Sequence, residues 1–537
     1  MGMIILIRKK GKQEKQENQV NLMKHAKINK YENLKNQNNQ ENDEERNIDT
    51  ENVNEEPINT KDRINKDIMK ITYIFVGLFA ILLGYFTYFI FVDSEEVINN
   101  AYNKRQDLLT EQIVRGSILS SDNQVLAVTK VNEDGEEVRE YPYGSMFAHV
   151  VGRFSKGRTG IESTENFTLL TSNTNGIKKI FNEITGKKSI GDNIVTTLDT
   201  KLQKTAYEAL GDYKGAVIVM EPSSGKILAM VSKPDYDPNT INETWNDLIN
   251  KEKESQNDDT KENESALLNR ATQGLYPPGS TFKILTILEY IRENPDYEDY
   301  TYHCEGTGVF NSVTINCYNN KKHGEVNLLE SFAKSCNTSF ANISTSLSAE
   351  SFRKLCDTFL FNNPLPTDFV YNRSSFVIDK KSENYELPQT SIGQGDTQIT
   401  PLHNGLIVAT IANGGAMMKP YVVDHVENES GIVTKKYMPE IFDTLMTPEE
   451  ADILTSYMAE VVNSGTATAL SGKEYSVAGK TGSAEYQENM PAHAWFVGFS
   501  NIEKPDIVVS IIVESVGTGS DYAVPIAAKI FDAYYDE

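Results

Sequence analysis

The sequence predicts an α+β protein: one antiparallel sheet covered by helices on both faces, behind a smaller mixed domain and one long apolar helix. Three observations carry that expectation. Strand-like runs at 215–220 and 226–231 are joined by Pro222-Ser223-Ser224-Gly225, a turn tight enough to demand an antiparallel pair. Further strand-like runs at 476–478, 494–499 and 507–513 lie near the other end, with helical patterns between the two sets. Residues 71–92 are apolar, broken only by Gly, Thr and Tyr.

In chain order, residues 1–70 are polar, rich in Asn, Gln, Glu and Lys, and poor in aromatics. Such a segment cannot bury a core, and a disordered tail is expected, most clearly at 36–56. The run 71–92 has the length of a bilayer-spanning helix, about 20 residues. Lys61, Arg63, Lys66 and Lys70 precede it, and Asp93, Glu95 and Glu96 follow it. Positive flanks stay inside, so the expected topology is single-pass, N-terminus cytoplasmic and the bulk extracellular. No Ala-x-Ala-like cleavage site follows the apolar run, which favours an uncleaved anchor. Residues 93–192 read as a small mixed pedestal domain, with a helical run at 97–109 and strand-like pieces at 116–119 and 125–128. Residues 193–537 form the larger domain, which opens with a helix at 200–210 and closes with one at 523–534. The charged stretch 246–264 is read as a surface insertion.

The 537 residues carry a formal net charge of −24, and no basic stripe is visible, so nucleic acid is not an expected partner. The four cysteines are Cys304, Cys317, Cys336 and Cys356. None forms a Cys-x-x-Cys pair, so neither a zinc site nor any other metal or cofactor is expected. Cys304 and Cys317 share one loop-like stretch on the expected oxidising side, which permits a bridge without requiring it. Cys336 reads as a small apolar residue.

Three short strings, in order, carry chemistry: Ser280-Thr281-Phe282-Lys283, Ser335-Cys336-Asn337 and Lys480-Thr481-Gly482-Ser483. Each pattern is weak alone. Ser223-Ser224-Gly225-Lys226 and Ser331-Phe332-Ala333-Lys334 also fit Ser-x-x-Lys, and Ser121-Asp122-Asn123 and Ser382-Glu383-Asn384 also fit Ser-x-Asn. Context separates them. Only Ser280 follows a turn signal, Tyr276-Pro277-Pro278-Gly279, and opens an apolar helical run. Serine needs a base to act as nucleophile, and Lys283, three residues on, shares its helix face. Burial and a second cation, Lys480, would lower the lysine pKa. Ser335 suits a proton relay, and Asn337 suits a substrate amide or Lys283 itself. Lys480, Thr481 and Ser483 at a strand start suit a carboxylate. Gly482 permits close approach of a ligand or of a neighbouring helix.

Together these strings resemble serine penicillin-binding proteins of the monofunctional class B type. The likeness extends to Gly393-Gln394-Gly395, Thr400-Pro401-Leu402, Ala494-Trp495-Phe496-Val497-Gly498 and, upstream, Asn103, Arg105 and Arg115-Gly116-Ser117-Ile118. The resemblance implies the β-lactamase/penicillin-binding-protein-like fold. It also implies a DD-transpeptidase that cross-links peptidoglycan stem peptides through a Ser280 acyl-enzyme, with β-lactams acylating the same serine. A membrane glycosyltransferase is the implied partner. Ser483 stands where the family often has Thr, and the hydroxyl is kept. No glycosyltransferase domain fits between Val92 and Asn193, which disfavours the bifunctional class.

Two other functions fit parts of the pattern. A class D-type β-lactamase shares Ser-Thr-Phe-Lys, but such enzymes are usually small and soluble. A β-lactam sensor would carry several spans, and a non-catalytic scaffold would more naturally have lost Ser280 or Lys283.

Overall fold

The computed structural model describes residues 60–90, 110–132, 136–256, 264–378 and 386–536. The expected disordered stretch at 36–56 and the helical run at 97–109 lie outside them. Helix α1 (Thr60–Tyr88) stands as a unit of its own, and its stretch Ile68–Tyr88 is long and apolar enough to cross a membrane. Its apolar side chains are exposed, Phe75 to 68 % and Ile81 to 70 %. The hydroxyls of Thr72 and Thr87 bond back to the carbonyls of Ile68 and Leu83, so neither needs water.

After a short strand at Ile113–Val114, the main elements of the rest of the chain start with β1 (Ile118–Leu119), β2 (Val125–Val131), β3 (Glu137–Glu140) and β4 (Asn193–Thr196). Then come α2 (Thr200–Leu210), β5 (Gly215–Met220), β6 (Ile227–Lys233) and α3 (Lys283–Glu293). Four short strands follow: β7 (Thr301–Cys304), β8 (Thr307–Phe310), β9 (Val313–Asn316) and β10 (Gly324–Asn327). They lead into α4 (Leu328–Ala333), α5 (Asn337–Ser344) and α6 (Pro401–Ala412). The remainder is β11 (Val423–Glu427), β12 (Val433–Lys436), α7 (Pro448–Asn463), β13 (Val477–Ala484), β14 (His493–Ser500), β15 (Val508–Val513) and α8 (Gly519–Tyr535).

The principal sheet has five strands in the order β13-β14-β15-β5-β6, all antiparallel. Every residue of β5, β14 and β15 is buried, as strands covered on both faces must be. Helices α2 and α8 pack on each other and against β6 and β14. Helix α6 lies against β5, β14 and β15, where Ser510 donates to the Pro401 carbonyl at 2.8 Å. Gly405 eases this approach, since a Cβ there would sit 3.1 Å from that of Ser510, a tight contact. Helix α6 starts cleanly because Thr400 caps the His403 N–H and Pro401 occupies the first turn. It is buried on almost every side, and its polar residues His403, Asn404 and Thr410 each find a hydrogen-bond partner within the protein.

The second sheet runs β12-β11-β4-β1-β2-β3, with β1 and β4 parallel. Beneath it lies a buried charge cluster. Arg115 and Arg139 donate to opposite oxygens of Glu162 at 2.6 and 2.7 Å, and Tyr141 adds a bond at 3.2 Å. Burial opposes the Glu162 charge, but the two guanidiniums prevail and hold its carboxyl below the usual range.

One local expectation changes. The strand holding Lys480 begins at Val477 and runs to Ala484, so Lys480-Thr481-Gly482 is mid-strand rather than a strand start. Its pairing with all of β14 extends it in both directions. The charged stretch read as a surface insertion is helical as far as Gln256, within Ile241–Gln256, and none of 246–253 is buried. Residues 257–263 lie outside the described residues.

Candidate active site

Ser280 sits on the 3₁₀ turn Gly279–Phe282, which runs straight into α3. Several distant segments clamp this turn. The Gly279 N–H donates to the Gly393 carbonyl at 2.9 Å, and the Trp495 indole donates to the Pro277 carbonyl at 3.1 Å. Tyr276 and Arg270 both donate to Glu514 Oε1, at 2.6 and 2.7 Å, and Asn404 reaches the Thr281 hydroxyl at 3.1 Å. Gly279 and Gly393 both have positive φ, and a Cβ on Gly393 would lie 2.0 Å from the Gly279 carbonyl oxygen. The two backbones touch, so only glycine fits there.

Ser335 and Asn337 flank the junction of α4 and α5. Helix α4 ends in a Schellman motif: the Ser335 N–H bonds to the Phe332 carbonyl at 3.1 Å and the Cys336 N–H to the Ser331 carbonyl at 2.9 Å. Ser335 takes the left-handed position of that motif, φ 55°, usually given to glycine. A serine there costs about 1 kcal/mol, and it places a hydroxyl between two amines. Lys283 Nζ donates to the Ser335 carbonyl (2.9 Å), Ser335 Oγ (3.3 Å) and Asn337 Oδ1 (2.7 Å). Asn337 is itself held by donating to the Asn316 carbonyl at 2.8 Å. Lys480 Nζ donates to Ser335 Oγ at 2.9 Å and to the Thr481 carbonyl at 3.1 Å.

Both lysines are fully buried. Phe340 lies 5.2 Å from the Lys283 amine and Phe332 5.5 Å from that of Lys480, ring faces that attract cations. Burial still lowers the Lys283 pKa to about 8, with the nearby Cys336 and Cys317 sulfurs acting in the opposite sense. Burial and then the Lys283 charge push Lys480 well below its ordinary value. Both amines therefore give up a proton more readily than an exposed lysine does.

Strand β13 is the outer edge of the principal sheet, so one side of its backbone is unpaired within the sheet and faces a cleft of about 840 Å³. Ser280, Ser335, Asn337, Thr481, Gly482 and Ser483 all line this cleft, and Lys283 and Lys480 lie beneath them. A Cβ on Gly482 would stand 3.2 Å from Thr281 Cγ2 and 3.3 Å from the Pro278 carbonyl oxygen. Its missing side chain therefore brings β13 against the Ser280 turn. Lys480, expected to meet a carboxylate, instead turns its amine inward onto Ser335, leaving the hydroxyls of Thr481 and Ser483 toward the cleft. A tighter cavity of about 220 Å³, lined by His149, Tyr236, Asn269 and Tyr437, holds none of the motif residues.

Some functional neighbours were not singled out as site residues from sequence. Gln394 spans the cleft: with its amide oriented to satisfy both ends, it donates to the Glu485 carbonyl at 3.0 Å and accepts from the Glu485 N–H at 3.2 Å. Thr466 shares a hydrogen bond with the Thr481 hydroxyl, and Ser520 donates to the Thr466 carbonyl at 2.8 Å. Gly393-Gln394-Gly395 was a visible signal, whereas Thr466 and Ser520 carry none. The Cys304–Cys317 bridge that the sequence permits is not formed: all four cysteines are free and buried, and these two sulfurs are 3.7 Å apart.

The penicillin-binding protein transpeptidase domain family matches residues 215–532, and the penicillin-binding protein A dimerisation domain matches residues 115–194. Peptidoglycan D,D-transpeptidase PbpA of Mycolicibacterium smegmatis is 32 % identical over 448 residues, covering 78 % of this chain and 89 % of that protein. Peptidoglycan D,D-transpeptidase MrdA of Haemophilus influenzae is 28 % identical, covering 76 % and 67 %. Among solved structures, the penicillin G acyl-enzyme complex of penicillin-binding protein A from M. tuberculosis aligns with a TM-score of 0.70 and 28 % identity, covering 79 % of this chain and 100 % of that one. The D,D-transpeptidase domain of a peptidoglycan glycosyltransferase from Eggerthella lenta gives a TM-score of 0.68 at 30 % identity, covering 78 % and 97 %.

Proposed function

The chain belongs to the penicillin-binding protein transpeptidase family, and from that premise we propose that it is a membrane-anchored serine D,D-transpeptidase, cross-linking peptidoglycan stem peptides and acylated by β-lactams. The observation that best supports this reading is the meeting of two buried amines at one hydroxyl, Ser335 Oγ, beside the wall that carries Ser280.

Each residue then has a task. The Ser335 carbonyl and Asn337 Oδ1 accept hydrogen bonds from Lys283. A neutral Lys283 amine has only two hydrogens, so those acceptors occupy both and leave the lone pair as its reactive part. Ser280 Oγ attacks the carbonyl before the terminal D-alanine, and its proton passes to Lys283. The C–N bond breaks, and the departing amine of D-alanine takes a proton through Ser335. An amine of a second stem peptide then attacks the ester, and Ser280 recovers its proton as the new amide forms. Backbone N–H groups at the Ser280 turn and at Ser483 stabilise the oxyanion. The exposed edge of β13 suits an added peptide strand, with Thr481 and Ser483 at its terminal carboxylate. Residues 93–192 act as a pedestal, the N-terminal tail lies in the cytoplasm, and a membrane glycosyltransferase supplies the strands.

Intact-mass analysis of the full chain in detergent with penicillin tests this. A single long-lived adduct on the Ser280 peptide, absent in Ser280→Ala, is the expected result, together with cross-linking of stem peptides. An adduct that persists in Ser280→Ala would move the nucleophile elsewhere. Rapid consumption of penicillin with no lasting adduct would replace the reading with a β-lactamase.

A further inference from the structure

Directly behind the Ser335 loop lies a second cluster. Cys304, Cys317, His323 and Cys336 come from four separate places: the end of β7, the residue after β9, the approach to β10 and the N-cap of α5. Their three Sγ atoms and one imidazole nitrogen all lie within 4.8 Å of one another. The spacings are regular: Cys304 to Cys317 is 3.7 Å, Cys317 to Cys336 is 3.8 Å, and Cys304 to His323 Nδ1 is 3.4 Å.

Ligands around a tetrahedral zinc ion, with Zn–S near 2.3 Å, stand about 3.8 Å apart sulfur to sulfur and slightly less sulfur to nitrogen. The cluster has that spacing, whereas a disulfide needs about 2.05 Å. All three cysteines are buried, and only Tyr302 packs against them as a partly buried apolar neighbour. The Thr338 hydroxyl lies 3.2, 3.4 and 3.6 Å from Cys304, Cys336 and Cys317, where it can donate to thiolate sulfur. Three soft ligands, an imidazole and a polar donor behind them are the parts of a metal centre with its outer shell.

We infer that Cys304, Cys317, His323 and Cys336 bind one zinc-class divalent cation in a closed Cys₃His site. Three thiols release their protons to solvent, and three S–metal bonds and one N–metal bond form. Four protein ligands leave no open position, so the ion is structural and takes no part in acyl transfer. Its effect is positional. Cys336 stands between Ser335 and Asn337, so the ion ties their loop to the β7–β10 segment. Sequence concealed the site because none of its cysteines forms a Cys-x-x-Cys pair, which is also why no zinc site is expected from sequence.

The test uses the full chain purified in detergent under reducing, chelator-free conditions. Elemental analysis should find one zinc per chain, unchanged in Cys356→Ser and lost in Cys304→Ser. Thr338→Val should keep the ligands but weaken zinc roughly 10–100-fold in a chelator competition. Cobalt loaded in place of zinc should give the visible and near-ultraviolet bands of a tetrahedral cobalt–thiolate centre, a readout that needs no variant if Cys304→Ser fails to fold. Zinc removal should slow penicillin acylation and restore it on readdition. A reduced wild-type chain that takes up neither zinc nor cobalt would overturn the inference. So would a Cys304→Ser chain that keeps full stoichiometry, or peptide mapping that finds a Cys304–Cys317 disulfide in a metal-free active chain.

Discussion

Ser335 shows how one residue can trade stability for chemistry. Its φ of 55° suits glycine, and its hydroxyl is the shared acceptor of two buried amines. Ser335→Gly is therefore expected to relieve about 1 kcal/mol of backbone strain while removing an acceptor from two buried amines, and acylation by penicillin should fall sharply. Ser335→Ala loses the same hydroxyl but keeps the Cβ, so Ser335→Gly should melt at the higher temperature of the two; the reverse order would refute the account of strain. The Lys283 pKa, lowered to about 8 by burial, sets the expected pH dependence. Only the neutral amine can take the Ser280 proton, so the acylation rate should rise with pH up to about 8 and then level off. Stopped-flow labelling from pH 6 to 9.5 measures this, and a flat profile would remove Lys283 as base. The identities of Ser280, Lys283, Ser335 and Lys480 were legible because order and flanking turns mark them. The direction of the Lys480 amine was not, because it depends on the packing of Phe332 beneath the loop.

At the scale of elements, propensity and turn chemistry were readable wherever contacts are local. The β5–β6 hairpin and α2 appear where the pattern puts them, with Asp199 capping the start of α2. What stayed hidden was the full reach of β13, since Gly479 to Ser483 have weak strand propensity and are recruited by pairing with β14. The buried Arg115–Glu162–Arg139 group is the matching case in the other sheet. Removing the carboxylate charge leaves two buried guanidiniums unpaired, so Glu162→Gln should destabilise the protein by about 3–5 kcal/mol. The folded-state pKa of Glu162 is lowered, so its contribution is present above the unfolded carboxylate pKa and is lost as pH falls. Denaturant melts at pH 7 and pH 4 should show the wild-type advantage over Glu162→Gln shrinking at the lower pH.

For the whole molecule, the second sheet links distant parts of the chain. Strands β1, β2 and β3 precede residue 193, whereas β4, β11 and β12 follow it. A chain cut at Asn193 would expose the edge of β4 that β1 covers. The 193–537 fragment is expected to melt at lower temperature and to aggregate more readily than 93–537, as differential scanning calorimetry and light scattering would show. The sequence pattern divides the chain near residue 193, but hydropathy cannot say which strand pairs with which, and so it could not reveal a sheet that crosses that division. Ser335 Oγ is met from behind by the Lys480 amine at 2.9 Å, so its own hydrogen is left to turn toward the cleft. In the proposed reaction one hydroxyl is thereby anchored on its oxygen and mobile on its hydrogen, so the fold fixes the second donor in place without using up the proton it must give.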